Sequence, residues 1–582
     1  MGTRKAIGRS VAVQSAPQIL VVGAGPTGLT VAAELHRHGV ACRVVDTNTA
    51  PSAHSRALAI QSRTMEVFEI MGVAGRVLDL GWKLNAFNVY DRTHHIVRMT
   101  FDELNCPYPF LVSLPQFETE RILAGRLHEL GGNIEWNTRL TSLLQTGEEV
   151  QVTLEHTDGQ IESTAYKWVI ACDGAHSDVR HLLDMSFHGK QYHEYYVLAD
   201  IDFETTLDTS EFYIFSRGHT IGGFHPFNAH SARIFCDMDI DSKLTAKSSD
   251  KPALSEPSLE QLQQMLSERG PGTVEITKLN WLSMHWVHCR QVQSYQQDRV
   301  FLAGDAAHVH SPASGQGMNL GIQDAFNLAW KLADFESNRV QVSVLESYSP
   351  ERLKVGKEIL RMTDFFTRIN TERNAIAQQI RNTVGPILSQ QEPIREHYRN
   401  AVMGLSVNYR DSPIVEEHKR KTLNFSAGPS AGERAPYTVL HKELDSGHSS
   451  ITADLQQGKH VLLLFAGNQT SADEWTQLSK IAHLVSQDYT ESISPIVFAP
   501  PSNLPGDSAL VNHLRVDSNL AAHTKYNASH ACAYLVRPDA YVAFRAIPPS
   551  ETQFRHYLEK TFRRSEEQPN GSSKIAKTSA SS

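Results

Sequence analysis

The stretch from Gln18 to Asp46 constrains this chain more than any other. An apolar run, ILVV, leads into Gly23-Ala24-Gly25-Pro26-Thr27-Gly28. A helical stretch then continues through Leu35 to His38, stops at Gly39, and is followed by VACRVVD ending in Asp46. Strand, glycine turn, helix and strand in that order make one βαβ unit and call for a parallel sheet. Gly23 permits the tight turn, Gly25 lets a diphosphate approach the backbone, and Gly28 lets the helix pack close to the strand. Pro26 and Thr27 lie where the helix N-terminus would face that diphosphate. Asp46 is placed to accept hydrogen bonds from a ribose and would repel a 2′-phosphate, so the nucleotide expected here is FAD or NAD rather than NADP.

At 582 residues the chain is long enough for about three or four domains. A second apolar strand, Trp168 to Ala171, runs into Asp173-Gly174, and a third, Arg299 to Ala303, runs into Gly304-Asp305. Between them lie YYVLADIDF, EFYIF and ARIFCDMDI, whose alternating polarity predicts an inserted antiparallel sheet. From Gly317 to about Leu405 the three- and four-residue spacing of Ile322, Ala325, Phe326, Ala329 and Leu332 predicts helix. Beyond a polar stretch, HVLLLFAG, SPIVFAP, HLRVD and CAYLVRP alternate with helical segments and indicate a compact α/β domain. The predicted division is a disordered N-terminus at 1–17, an FAD-binding domain with a helical region at 18–185 and 286–405, and a mixed β-sheet substrate domain at 186–285. A linker at 406–436, a thioredoxin-like α/β domain at 437–564 and a disordered tail at 565–582 complete it.

A formal charge of -9 offers no basic field for a phosphate backbone, which disfavours nucleic acid as a partner. Gly23, Gly25, Pro26 and Gly28 interrupt the only stretch that could imitate a membrane anchor, so no membrane partner is expected. The basic start reads as a frayed terminus, with a short organellar presequence as the other reading. Six scattered cysteines with no CxxC pair argue against a disulfide framework and a zinc site, and for a reducing, cytoplasmic setting. His308-Val309-His310 lacks a third ligand at metal spacing, so no metal is expected.

The segment RVFLAGDAAHVHSPASGQGMNLGIQDAFNLAWKL favours FAD over NAD. Asp305 suits a ribityl hydroxyl, Gly315 and Gly317 permit close backbone approach, and a helix starting near Gly317-Met318 places unpaired N–H groups at the pyrimidine edge of a flavin. With the glycine fingerprint, WVIACDGAHSDVR and GDAAHVHSPASGQGMN in this order, the chain resembles the single-component FAD-dependent aromatic hydroxylases. These are the para-hydroxybenzoate hydroxylase group, and more closely its longer phenol hydroxylase-like members with a C-terminal thioredoxin-like domain. SRALAIQSRTMEVFEIMG and LPQFETERIL match further family segments. The resemblance implies Arg56 near the FAD diphosphate, Gln116 and Asn319 at the flavin, Asp173 and Arg180 shaping the cofactor and nicotinamide approach, and Pro312 beside the ring. It also implies non-covalent FAD, NADH or NADPH as a transient co-substrate, and a flavin C4a-hydroperoxide that hydroxylates a phenolic or polyphenolic ring.

No second strand–GxGxxG–helix unit exists, so the nicotinamide has no Rossmann domain of its own. The C-terminal domain contains only Cys532, which excludes dithiol exchange there and leaves packing and subunit contact, as in a homodimer, as its expected roles. Candidates for the substrate pocket come from the inserted sheet: Tyr195, Tyr213, His219, His225 and Phe227, with His285 and Trp286 just before the third strand. His225, Tyr213, Tyr195 and Pro312 are the candidate catalytic residues, and which group withdraws the phenol proton stays open. Epoxidation, Baeyer–Villiger-type insertion, or dehalogenating or decarboxylating hydroxylation would use the same fingerprint, because pocket residues choose among them. A flavin-carrying interaction protein is the alternative from another class.

Overall fold

Ile19–Val22 consists of four apolar residues, all buried, without the polar alternation of a half-exposed strand. Such a strand needs cover on both faces, which a parallel sheet flanked by helices supplies. In the structure, a computed structural model describing residues 17–51, 57–91, 94–217, 220–238, 256–270, 274–310, 315–371, 391–419, 428–436 and 451–565, it is central to such a sheet. Val22 pairs in parallel with Ala171 and with Val45, and Ala171 pairs in parallel with Leu302. This register sets the carboxyl ends of three strands side by side. The turns at Gly23, Asp173 and Gly304 therefore open on one edge of the sheet, where ligands of open α/β sheets bind. Helix Pro26–Arg37 begins with proline in its first turn, where the fixed φ suits the helix and no N–H is lost from the ladder.

Among the described residues, a second sheet has eight strands and is organised by two 19-residue strands, Phe187–Thr205 and Val274–Val292, which pair antiparallel from Phe187↔Val292 to Thr205↔Val274. One face packs Val197, Ala199, Ile201, Phe203, Phe215, Phe224 and Ile234 against Leu262 and Leu266 of helix Leu259–Arg269. The expected insert spanned 186–285, yet the sheet also recruits Ala86–Asp91 and His94–Thr100, and Val274–Val292 runs on to meet His308–Val309. Glu211–Arg217 pairs in parallel with Ala86–Asp91, a partnership between segments far apart in sequence that no local pattern announces. Gly222-Gly223, which served no motif, also finds a reason: a Cβ on Gly223 would lie 2.0 Å from the Phe235 ring, so that ring fills the place of the missing side chain.

The C-terminal sheet runs in the order Glu416–Lys419, Val542–Ile547, Cys532–Val536, His460–Phe465, Ile493–Ala499, Leu514–Val516. His460–Phe465 pairs in parallel with Ile493–Ala499 and antiparallel with Cys532–Val536, which continues into an antiparallel hairpin with Val542–Ile547. Glu416–Lys419 falls in the expected linker. Its EEHK sequence carries no apolar alternation, and pairing with Val542–Ile547 alone makes it a strand. Cys532 is fully buried, and burial pushes its thiol well up, so no thiolate is offered there. Among the described residues no helix is long and apolar enough to cross a membrane.

Candidate active site

The three fingerprint glycines do different work. Gly23 has φ +103°, and a Cβ there would stand 2.4 Å from the Cys172 carbonyl oxygen. At Gly28 a Cβ would stand 1.9 Å from the Gly23 carbonyl oxygen. Both close the turn. Gly25 is ordinary extended backbone, φ -74° and ψ -178°, and a Cβ there meets nothing within 4 Å. That open space lies at the N-terminus of helix Pro26–Arg37, which has no side-chain cap, so its first amides remain available to an anion. Asp46 is tied to the same turn: Ala24 N donates to Oδ2 at 2.6 Å, and Asn48 N and Nδ2 each donate to Oδ1 at 2.8 Å. A carboxylate has lone pairs left for a ribose hydroxyl beyond these bonds.

Asp305 is exposed on the turn Gly304–Ala306, and that turn is held from beneath. Gly304 N donates to Asp324 Oδ2 at 3.0 Å, His308 Nε2 lies 2.6 Å from the same oxygen, and Arg352 Nε donates to Oδ1 at 2.5 Å. Burial alone would raise the Asp324 carboxyl, but the Arg352 guanidinium and the His308 ring outweigh it and hold it below its ordinary range. His308 thus braces the turn. Among the described residues no cluster of three side chains could hold a metal ion. Thr27, expected at the cofactor, has only its backbone to offer there. Its Oγ1 lies where Cβ atoms on Gly304 and Gly321 would be, 2.6 and 2.4 Å away, so its side chain is wedged between the turn and helix Gly317–Glu336. Gly321 was missed, and the one available signal was a glycine kept inside a helix at a cost of about 1 kcal/mol relative to alanine.

Arg180 joins two of the motifs. Its Nη1 donates to Ala306 O at 3.1 Å and Nη2 to Ala175 O at 2.9 Å, with the guanidinium 4.3 Å from the centre of the Phe187 ring. Asp173 Oδ2 accepts from Val179 N at 3.1 Å, Oδ1 is buried without a protein partner, and burial raises the carboxyl above its ordinary range.

Segment 57–61 is clipped at both ends by residues assigned to the flavin. Gln116 Oε1 accepts from Ala57 N at 3.0 Å, while Asn319 accepts from Gln61 N at 3.0 Å and donates to Ala59 O at 2.8 Å and Gly315 O at 3.1 Å. Gly315 has φ +60°, and its Cβ would sit 3.6 Å from that of Ala59. Gly317 starts the helix, and Met318 turns its side chain into the core, leaving only its backbone for a ligand. Arg56, Pro312 and His219 lie outside the described residues, as do the side chains of His285 and Trp286.

The faces of the second sheet separate the substrate candidates. Tyr213 is a correction: it packs with Phe224 and the residues against helix Leu259–Arg269, and its hydroxyl donates to Asp208 O at 3.1 Å. Tyr195 shares the alternation of Val197 and Ala199, on that same helix side. Phe227 follows the strand and is half-buried. His225 faces the other way. Its ring lies 5.1 Å from Phe212, which clusters with Phe87, Met99, Tyr398, Met403 and Ala59, the neighbour of Gly315. His225 is 9% exposed, and its Nε2 is buried without a protein partner. On the same strand face Arg233 holds Asp200 through two bonds, 2.7 and 2.8 Å.

An open glycine cradle, two helix N-termini without side-chain caps and an exposed strand-end carboxylate fit a dinucleotide laid along this edge. The family described as FAD binding domain matches residues 16–363, and that described as aromatic-ring hydroxylase, C-terminal, matches residues 428–565. 6-Methylpretetramide 4-monooxygenase of Streptomyces rimosus is 32% identical over 464 residues, 78% of this chain and 81% of that protein. Pentachlorophenol 4-monooxygenase of Sphingobium chlorophenolicum is 30% identical over 545 residues, 91% of this chain and 93% of that protein. The solved ternary complex of aklavinone-11 hydroxylase with FAD and aklavinone shares the fold, with a TM-score of 0.71 at 22% identity over 94% of this chain and 99% of that one. The chain therefore belongs to the FAD-dependent aromatic-ring hydroxylases, enzymes that use FAD, NAD(P)H and O2 to oxygenate an aromatic substrate.

Proposed function

We propose that the substrate is a phenolic or polyphenolic ring held between the His225 face of the eight-stranded sheet and the Ala59 and Gly315 backbone joined by Asn319, and that it is hydroxylated there. The observation that carries this reading is the continuity of that face. Asn319 bonds both Ala59 O and Gly315 O, Ala59 belongs to the Phe87, Phe212 and Tyr398 cluster, and the Phe212 ring lies 5.1 Å from the ring of His225, whose Nε2 is buried without a protein partner. An aromatic face that carries one unpartnered polar atom suits a flat ring bearing a hydroxyl.

FAD reduced by NAD(P)H supplies electrons and activated oxygen from O2. The chain supplies position and a dry surface. Gly25 admits the diphosphate, Asp46 takes the ribose, and Asp305 takes the ribityl chain. His225, pushed down to about 3 by burial and then by the nearby Arg233 charge, is neutral near pH 7. It can accept the phenolic proton in a hydrogen bond at Nε2, which enriches the ring carbon that receives oxygen. Phe212 and Phe87 keep water away from that carbon. Pentachlorophenol and 6-methylpretetramide are named as substrates of relatives, which supports a phenolic ring as the class.

The test is a panel of mono- and polyphenols under labelled O2, comparing wild type with His225→Leu. One labelled oxygen added to an intact ring, with product lost and NAD(P)H oxidation retained in the variant, is the expected result. Ring insertion or halide release would replace hydroxylation as the reaction, and unchanged product yield in His225→Leu would move the substrate elsewhere.

A further inference from the structure

The turn Arg537-Pro538-Asp539 joins Cys532–Val536 to Val542–Ile547 in the C-terminal sheet, yet four of its hydrogen bonds reach into the FAD-binding domain. Arg537 is fully buried. It donates to Glu351 Oε1 at 2.8 Å and Oε2 at 3.0 Å, and to Asp539 Oδ1 at 2.9 Å and Oδ2 at 2.5 Å. Its guanidinium lies 5.3 Å from the ring centre of Trp330 and 4.9 Å from that of Tyr409. Glu351 also accepts from Lys331 Nζ at 2.7 Å, Asn327 Nδ2 at 2.8 Å and Ser412 Oγ at 2.6 Å. Two cations and two carboxylates balance inside the core, an arrangement that breaks sharply when one member is removed.

Asp539 extends the grip to a second helix. Its carbonyl accepts from Arg63 Nη2 at 2.6 Å, and its Oδ2 accepts from Asn327 Nδ2 at 3.1 Å. Arg63 belongs to helix Ser62–Met71, whose N-cap is Gln61, and Asn327 belongs to Gly317–Glu336, which carries Asn319 at its other end. Asn319 is the residue that clips Gln61 and Ala59 beside Gly315. Eight residues of helix, about 12 Å, separate Asn327 from Asn319. One turn of the C-terminal domain therefore holds the two helices whose first residues form the edge assigned to the flavin.

We propose that Arg537 and Asp539 are positioning residues for the cofactor site: the C-terminal domain fixes the spacing of helices Ser62–Met71 and Gly317–Glu336, and through it the separation of segment 57–61 from Gly315–Asn319. The proposal rests on reading those segments as the flavin edge. It gives the C-terminal domain a task that needs no thiol.

The experiment compares full-length wild type, Arg537→Met, Arg537→Lys and Asn327→Leu. Apoprotein is titrated with FAD, the visible circular dichroism of the bound flavin is recorded, and hydrogen peroxide released per NAD(P)H oxidised is measured. Arg537→Met is expected to weaken FAD binding about tenfold, to alter the flavin dichroism and to raise the peroxide fraction, with Arg537→Lys restoring part of each. A folded Arg537→Met protein with wild-type affinity, dichroism and coupling, and only a lower Tm, would overturn the proposal and leave the turn a domain fastener. If Arg537→Met does not fold, Asn327→Leu, which removes contacts to Asp539 and Glu351 without removing a charge, carries the same expectation and the same refutation. Gly25→Val is run alongside: retention of FAD by that variant would remove the cofactor reading itself rather than the role of the turn.

Discussion

Substituting two glycines of the same fingerprint should have opposite consequences. In Gly28→Ala the new methyl would lie 1.9 Å from the carbonyl oxygen of Gly23 and 3.0 Å from its carbonyl carbon. Carbon atoms prefer about 3.5–4.0 Å, so the turn must open by more than about 1 Å against the neighbouring strand. Overpacking against backbone belongs at the upper end of the usual range, about 3 kcal/mol, or about 6–12 °C in Tm for a domain of this size. In Gly25→Val the backbone is extended and the Cβ meets nothing within 4 Å, so apoprotein stability should stay within about 0.5 kcal/mol of wild type. Its side chain, however, would occupy the diphosphate's approach. Losing two charge-assisted bonds at about 1.5 kcal/mol each predicts at least about a hundredfold weaker FAD binding. Thermal melts of the two apoproteins and fluorescence titration with FAD measure both quantities. An apo Gly25→Val that melts as early as Gly28→Ala, or one that binds FAD like wild type, would refute the assignment of separate roles.

Asp305→Ala should weaken FAD binding by about 1.5–3 kcal/mol through loss of a charged acceptor, with little change in the Tm of the apoprotein because the side chain is exposed; unchanged affinity would remove this turn from the cofactor. Tyr213→Phe should cost about 0.5–1.5 kcal/mol of stability by losing the bond to Asp208 O, while leaving the product per folded enzyme unaltered; a turnover defect would return Tyr213 to the pocket. Asp334, pushed up to about 7 by burial against the opposing charge of Arg339, keeps its proton in the folded chain where the unfolded chain has lost it. Its contribution to stability is therefore complete below about pH 4 and lost as pH rises through about 7. The Tm of Asp334→Asn relative to wild type should accordingly climb between about pH 4 and about pH 7 and level off above, and a flat difference across that window would show that the carboxyl is not buried as a neutral acid.

The sequence by itself determined the parts of this protein whose signal is local. A glycine turn between an apolar strand and a helix has few physical solutions, so Gly23, Gly25, Gly28 and Asp46 pointed to a dinucleotide, and Gly304-Asp305 before a glycine-started helix supported the expectation of FAD. The division of labour among those glycines was legible only in part, because whether a missing Cβ leaves a clash or an open space depends on what folds against it. Tertiary structure alone decided the rest. Tyr213 and His225 both sit on β-rich segments, but alternation says that neighbours face opposite ways without saying which way is toward the flavin. The partner strand Ala86–Asp91 and helix Leu259–Arg269 separated the two faces, sending Tyr213 into the core and His225 to the other side. Glu416–Lys419 became a strand through a neighbour more than a hundred residues away. Asp324, Arg352, Glu351 and Arg537 carry no spacing motif, because contacts between residues so far apart in the chain leave no period in the sequence and appear only once the helices and the C-terminal sheet close around them.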